Sequence, residues 1–388
     1  MQSEQTATVE AGRVAWSRSN PYSATVLENR LLTGPASEKE TRHIELDLAD
    51  SGITYLPGDS AGVLPVNTCD AGDLVLERLG FAGDEPVTDF YGKPLTLREA
   101  LTSWLMIGKL SGSTLRGWAK HTGNPELSAL VAPGNKEKLE AYLWGREFID
   151  LLEHCPATLD DPQQLFKLLP RLAPRLYSIS SSQALRPTQI DLSVRVVKYE
   201  TYGRSREGVC SSHIGERTPP GGSLPIFIHS NLLFRLPADP SVRVIMVGPG
   251  TGVAPFRAYL EHKQAGCGRW PMWLFFGDQR ASQDFLYRED FERWLQTGVL
   301  ERFDTAFSRD QKEKIYVQTR IRENSAELWR WLDEGAYFYV CGDSKRMAPD
   351  VEAALLEAVA THSGRGPEYA TEFLADMKKQ KRYLRDVY

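Results

Sequence analysis

The chain has 388 residues, 41% of them hydrophobic and 25% charged, which is room for two or three domains around a sizeable core. Its 46 basic and 51 acidic residues leave a net charge of −5, which argues against a surface built to bind nucleic acid. No apolar run approaches the ~18 residues that span a bilayer, the opening MQSEQTATVEAGR lacks the apolar stretch of a signal peptide, and the five scattered cysteines form no CxxC pair.

A cytoplasmic protein with reduced thiols and no membrane partner is therefore expected. The seven histidines show no HExxH or comparable ligand spacing, so no metal is expected either.

In chain order, residues 1–20 read as a polar, loose N-terminus. Residues 21–67 carry short alternating runs (SATVLENRLLT, TRHIELDL) broken by the turn LPGDSAGVLP, the pattern of antiparallel strands in a barrel. Over 68–170 the spacing becomes helical in DAGDLVLERLG, TLREALTSWL, STLRGWAKHT and KEKLEAYLWGREFIDLLEH. Strand character returns over 171–236 with RLYSIS, QIDLSVRVVKY and SLPIFIH, so the barrel is expected to be interrupted by a helical connecting insertion and then completed. After the linker-like LPADPS, residues 241–388 alternate strand and helix, which implies a parallel sheet covered on both faces. The final helical run is expected to be EYATEFLADMKKQKRYL, delivering RDVY at the C-terminus.

Five segments carry candidate chemistry. Gly248-Pro249-Gly250-Thr251-Gly252 joins a buried strand to a helix, where small residues let a backbone approach an anion at the helix N-terminus. It is not a GxGxxG fingerprint, and a plain tight turn would read the same way. Ser308-Arg309, followed by Lys314-Ile315-Tyr316-Val317-Gln318, should lie at the carboxyl edge of the sheet, where ligands of such folds bind. Two cations, a hydroxyl and an aromatic there suit an adenosine 2′-phosphate. Charged hydrogen bonds of ~1.5–3 kcal/mol each could favour NADPH over NADH by roughly 10²–10⁴-fold. The plainer meaning of SRDQKEK is a solvated loop.

Cys341-Gly342-Asp343 ends the apolar strand AYFYV; a thiol there would face the nicotinamide end of a dinucleotide, or would simply fill the core. On Arg175-Leu176-Tyr177-Ser178, alternation puts Arg175 and Tyr177 on one face and Ser178 on the other. Gly208-Val209-Cys210-Ser211 could offer backbone N–H groups at the start of a helix. The chain ends on an aromatic, Tyr388.

Together RLYSISSSQ, MVGPGTGVAPFRAYL, DFLY, SRDQKEKIYVQ, ELWRW, YVCGDSKRMAPDVE and RDVY resemble the ferredoxin-NADP reductase superfamily, and within it the FAD/NADPH portion of the diflavin reductases, in particular their sulfite-reductase branch. The resemblance runs from about Asn20 to Tyr388. It implies FAD bound by Arg175, Leu176, Tyr177 and Ser178, by Ser193, Val194, Arg195 and Tyr199, by Gly208, Val209, Cys210 and Ser211, and more weakly by Ser111. It implies NADPH at Gly250, Thr251, Ser308, Arg309, Lys314, Ile315, Tyr316, Val317, Gln318 and Asp350. Ser178, Cys341 and Asp386 would line the hydride-transfer site, with Tyr388 stacked on the flavin as a gate.

Such reductases carry an FMN-binding, flavodoxin-like module before the FAD portion. Only about 20 residues precede the first expected strand here, so FMN is not expected of this chain. Either that module belongs to a longer protein, or a separate acceptor takes its place. The acceptor implied is a protein: a sulfite reductase hemoprotein, a flavodoxin-like FMN protein or a ferredoxin. The alternatives are a stand-alone ferredoxin- or flavodoxin-NADP reductase, against which the helical insertion speaks, and a non-catalytic subunit that senses FAD or NADPH.

Overall fold

The computed structural model describes residues 16–388. In chain order the strands are β1 (Tyr22–Leu31), β2 (Glu40–Asp47), β3 (Ser60–Val63), β4 (Pro86–Thr88), β5 (Pro94–Thr96), β6 (Arg175–Ser178), β7 (Gln189–Val196), β8 (Lys198–Thr201), β9 (Arg204–Glu207), β10 (Ser223–His229), β11 (Val244–Val247), β12 (Met272–Asp278), β13 (Arg302–Phe307), β14 (Tyr337–Gly342) and β15 (Tyr383–Val387). By internal contacts the chain divides into two compact units. One comprises residues up to Gly62, Leu176–Arg195 and Thr218–Tyr388; the other comprises Val63–Arg175 and Val196–Arg217.

The first unit contains both sheets that the sequence pattern implies, an antiparallel barrel and a parallel sheet. Six strands run in the order β6-β3-β10-β1-β2-β7, with β1 antiparallel to both β10 and β2. Just past β6, Ile179 bridges Leu192 of β7, which brings the two ends of this sheet together. The five-stranded sheet has the order β13-β12-β11-β14-β15, and every pairing is parallel. Alternation sorts its side chains onto two faces. Ile245, Val247, Phe338 and Val340 face one core, and Val244, Met246, Tyr339 and Cys341 face the other. Helices Ala254–Gln264 and Arg288–Thr297 cover the second face, and Ser325–Asp333, Met347–His362 and Gly366–Lys379 cover the first. The chain runs from β11 outward to β12 and β13, then returns to β14 on the other side. A crevice therefore opens between the carboxyl ends of β11 and β14, the switch point at which doubly wound sheets bind ligands.

Two local features differ from the sequence expectation. The last helix stops at Lys379 instead of running through Leu384: Lys381 takes a positive φ of 56°, Arg382 N closes on Met377 O at 2.8 Å, and the chain joins the open edge of β14 as β15. Outside the described residues lies most of the expected loose N-terminus; within its remainder, the Trp16 ring lies tilted against Tyr22 (5.2 Å between centroids) and its indole N–H donates to Ser51 O at 2.7 Å.

The second unit is mainly helical. Thr68, Ser111 and Asn124 cap the helices Cys69–Leu79, Gly112–Thr122 and Pro125–Leu130, and Thr96 with Glu99 forms a capping box on Leu97–Ser103. Their apolar faces close around Trp118 and Phe148. Two hairpins, β4–β5 and β8–β9, belong to this unit. Arg206 is buried there between Glu147 (2.7 Å) and Asp150 (2.7 Å). Among the described residues no helix is long and apolar enough to cross a membrane.

Candidate functional site

In the first unit a cleft of about 640 Å³ lies at the switch point. Its back wall is the turn after β11. Gly250 adopts a positive φ of 56°, and a Cβ on Gly252 would come within 2.2 Å of Cys341 O, so these positions are closed to larger residues. The turn runs as a short 3₁₀ segment into the helix Ala254–Gln264, with Pro255 in its first turn.

One end of the cleft is built from the segment after β13. Ser308 and Arg309 are fixed by backbone bonds from their N–H groups to Asp278 O (2.9 Å) and Gln279 O (2.8 Å). Lys314, Tyr316, Val317 and Gln318 line the same end, and the Tyr316 ring is 44% exposed. Ile315 is not among the lining residues and packs against the core. Asp350, on the helix Met347–His362, accepts from Gln318 Nε2 at 3.1 Å. Lys39, Arg195, Arg309, Lys314 and Arg346 line the cleft against the carboxylates Asp278, Asp343 and Asp350, so cations outnumber acids where an anionic ligand would lie.

The other end is closed by the C-terminus. Tyr388 N donates to Gly342 O (3.1 Å), its main-chain oxygen accepts from Ser344 N (3.1 Å), and its hydroxyl meets Thr251 Oγ1 (3.0 Å). The residue is nonetheless 64% exposed, a pinned aromatic with open surface. Asp386 sits beside Cys341 in the β14–β15 register, and Ser178 Oγ donates to Asp386 Oδ2 at 2.8 Å. Burial, reinforced by the Asp386 charge and opposed by a hydrogen bond with Ser178, pushes the Cys341 thiol well above its ordinary range. A thiol that stays protonated is a poor nucleophile. Ser178, Cys341 and Asp386 thus form one contiguous group although 208 residues separate the first from the last.

The remaining expected residues fall as follows. In the first unit Leu176 is 51% exposed and Tyr177 half-buried. Ser193 Oγ is bonded to Tyr287 Oη at 2.7 Å and Val194 is buried, so of that strand Arg195 is the one that lines the cleft. In the second unit Arg175 and Tyr199 are exposed. Gly208 leads into the helix Val209–Gly215, where Cys210 is buried and Ser211 Oγ accepts from Val197 N at 3.1 Å. Ser111 caps its helix by accepting from Thr114 N at 3.0 Å.

Sequence reasoning missed Lys39, Asp278 and Arg346. Lys39 pairs with Asp278 inside the cleft but stands in the polar run ASEKE, where nothing local marks it. It also missed the trio Glu28, His43 and Glu45, whose potential ligand atoms lie within 4.8 Å of one another. In that trio His43 Nδ1 is bonded to Tyr287 Oη (2.9 Å), and Glu45 is shared with Arg186 (3.1 Å).

Comparison with known proteins agrees with this architecture. Residues 15–213 match the family model described as FAD binding domain, and residues 246–353 match the oxidoreductase NAD-binding domain. The chain belongs to the FAD binding domain family, with a nicotinamide-dinucleotide domain of the oxidoreductase type behind it. It is 46% identical over 380 residues to the sulfite reductase (NADPH) flavoprotein alpha-component of Bacillus subtilis (strain 168), an alignment that covers 98% of this chain and 63% of that protein. Proteins of the same description from Escherichia coli O9:H4 (strain HS) and Escherichia coli O1:K1 / APEC are each 45% identical, over 96% and 100% of this chain and 62% and 64% of their own lengths. The chain therefore spans a little under two thirds of the length of these relatives.

Proposed function

We propose that the chain is an NADPH-dependent FAD oxidoreductase that delivers electrons to a protein acceptor, and that this acceptor is the hemoprotein of a sulfite reductase. The observation that carries the donor side is the convergence of Ser308, Arg309, Lys314 and Tyr316 with Gly250, Thr251 and Tyr388 on one cleft. Arg309 and Lys314 would hold the 2′-phosphate by charged hydrogen bonds, and the exposed Tyr316 ring would cover the adenine. The acceptor side is supported by what the relatives are called.

The residues fit a flavin: on the first unit an exposed Leu176, a half-buried Tyr177 and the exposed Tyr388 offer apolar and aromatic surface. Leu176, Tyr177, Ser178 and Arg195 of that unit would hold FAD. Bound FAD takes electrons from NADPH in pairs and releases them singly, chemistry that the side chains alone lack. The chain supplies orientation. Ser178 holds the Asp386 carboxylate, Cys341 remains a neutral wall, and Tyr388 excludes water and idle nicotinamide until it moves.

The test is NADPH-driven reduction of ferricyanide by the FAD-loaded protein, with NADH as comparison. Arg309→Ala should lower kcat/KM for NADPH by about 10–100-fold, the loss of one charged hydrogen bond, and leave NADH nearly unchanged. Equal losses for the two would refute the phosphate assignment. Rapid reduction of a soluble ferredoxin, with no turnover of a sulfite reductase hemoprotein, would select the stand-alone reductase instead.

A further inference from the structure

The hairpin between β1 and β2 is clamped onto the segment that follows β12. Gly34 N donates to Gln283 O (2.7 Å) and Ala36 N to Gln283 Oε1 (2.9 Å), while Ser37 Oγ bonds to Asp284 and Lys39 Nζ to Asp278. A Cβ on Gly34 would stand 2.3 Å from Gln283 Oε1, so a larger residue there would push the end of that side chain aside. Glu38 lies between these fixed points. Its carboxylate accepts from Arg309 Nη1 and is approached by Arg280 Nη2 at 3.4 Å. The hydrogen bond from Arg309, together with the charges of Arg309 and Arg280, holds the Glu38 carboxyl below its ordinary range. The guanidinium assigned above to the 2′-phosphate is thus already paired with an anion, and that anion comes from the hairpin, 271 residues away in sequence.

We propose that Glu38 is a specificity-determining residue of the dinucleotide cleft: it occupies Arg309 when no 2′-phosphate is present and is displaced by that phosphate when NADPH binds. This rests on the reading of Arg309 as the phosphate ligand. The exchange is one anion for another. A phosphate near two negative charges has three exits for Glu38: it turns to Arg280 alone, which already contacts it; it takes a proton; or it stays and repels the ligand. The first needs no rearrangement of the clamped backbone. A dinucleotide without the phosphate leaves the Glu38–Arg309 pair intact and gains nothing from Arg309. The carboxylate therefore weakens NADPH binding somewhat while keeping the guanidinium positioned and neutralised in the empty cleft.

The probes are 2′,5′-ADP, which carries the phosphate, and 5′-AMP, which lacks it, titrated calorimetrically into the FAD-loaded protein. Because the pair is exposed, Glu38→Gln should tighten 2′,5′-ADP by about two- to five-fold and leave 5′-AMP unchanged. Glu40→Gln, which removes the same charge two residues away beside Arg42, should change neither. In an Arg309→Ala background the Glu38→Gln effect should vanish, since no guanidinium remains to be contested. Weaker or unchanged 2′,5′-ADP binding in Glu38→Gln overturns the proposal, as does equal tightening of 5′-AMP or of Glu40→Gln. If Arg309→Ala itself leaves 2′,5′-ADP binding unchanged, the phosphate assignment fails first, so the two failures are distinguishable.

Discussion

Replacing Arg257 by methionine should destabilise the first unit by several kcal/mol, and the loss should grow with pH. Arg257 is 2% exposed on the helix that follows the Gly-rich turn. Its guanidinium donates to Ser180 O (2.7 Å), Asp191 Oδ2 (3.0 Å) and Asp290 Oδ2 (3.3 Å), pairs with Glu261 Oε1 (3.0 Å), and lies 4.7 Å over the Tyr287 ring. Methionine restores most of the volume but none of the charge. Asp191 and Glu261, both essentially buried, then keep Arg186 at 3.6 Å and 3.3 Å, and Asp191 also has His43 Nε2 at 3.8 Å. Breaking a buried ion pair from one side costs about 3–5 kcal/mol, and the residual Arg186 contacts argue for the lower end. At roughly 2–4 °C per kcal/mol for a unit of this size, Tm should fall by roughly 6–12 °C.

The pH sign follows from Glu261. Burial raises its carboxyl in the folded state, and Arg257 is the largest influence opposing that rise. A raised carboxyl means that the folded state binds the proton more tightly than the unfolded one. Stability therefore falls as pH climbs from the ordinary carboxylate value (~4.5) through the raised one. Removing Arg257 extends that window upward, so the deficit relative to wild type should be larger at pH 8 than at pH 5.5. Thermal unfolding of the FAD-loaded protein at both pH values measures it. A Tm loss under 2 °C at pH 8, or a deficit as large at pH 5.5, would refute the reasoning.

Three further outcomes follow from the site. Deleting Tyr388 removes a residue held by Gly342, Ser344 and Thr251; stopped-flow flavin reduction should then show tighter nicotinamide binding and a narrowed NADPH-over-NADH preference, and no change in either would sink the gate. Ser178→Ala deletes a hydrogen bond to a carboxylate and should slow flavin reduction by about 10–100-fold, with 2′,5′-ADP affinity kept; a parallel loss of affinity would assign Ser178 to binding instead. With its thiol buried and pushed up, Cys341 should resist iodoacetamide at pH 8 while the exposed Cys69 and Cys267 react; peptide mapping that finds Cys341 alkylated first in the folded protein contradicts this.

The dinucleotide half was legible because its signals are contiguous. MVGPGTGVAP spells strand, turn and helix in ten residues, and the cations of SRDQKEK follow a strand directly. β15 was hidden for the opposite reason. YLRDV has no clean alternation, and it becomes a strand only because β14, more than forty residues earlier, offers a free edge. Glu38 and Lys39 were hidden in the same way: their partners, Arg309 and Asp278, lie 271 and 239 residues on, and a polar hairpin reads as solvated until the clamp is known.

Arg257 marks where more could have been read. APFRAYLEH looks like an amphipathic helix with its charges outward, yet Arg257 and Glu261 stand one turn apart among Phe256, Ala258 and Leu260, all buried. QIDLSV places Asp191 between Ile190 and Leu192 in a strand that is buried at both neighbours. Each charge alone breaks the pattern of its own element and reads as noise. Buried charges are so costly that they persist when they answer one another, so a misplaced carboxylate on one element and a misplaced guanidinium on another are joint evidence of contact. Here that inference would have joined β7 to the helix behind the Gly-rich turn. That contact is held on one side by Arg257 at Ser180 O, two residues from Ser178, and on the other by Tyr287 at Ser193. The same lattice that carries the largest predicted stability loss therefore also sets where the strand bearing Ser178 lies relative to the cleft.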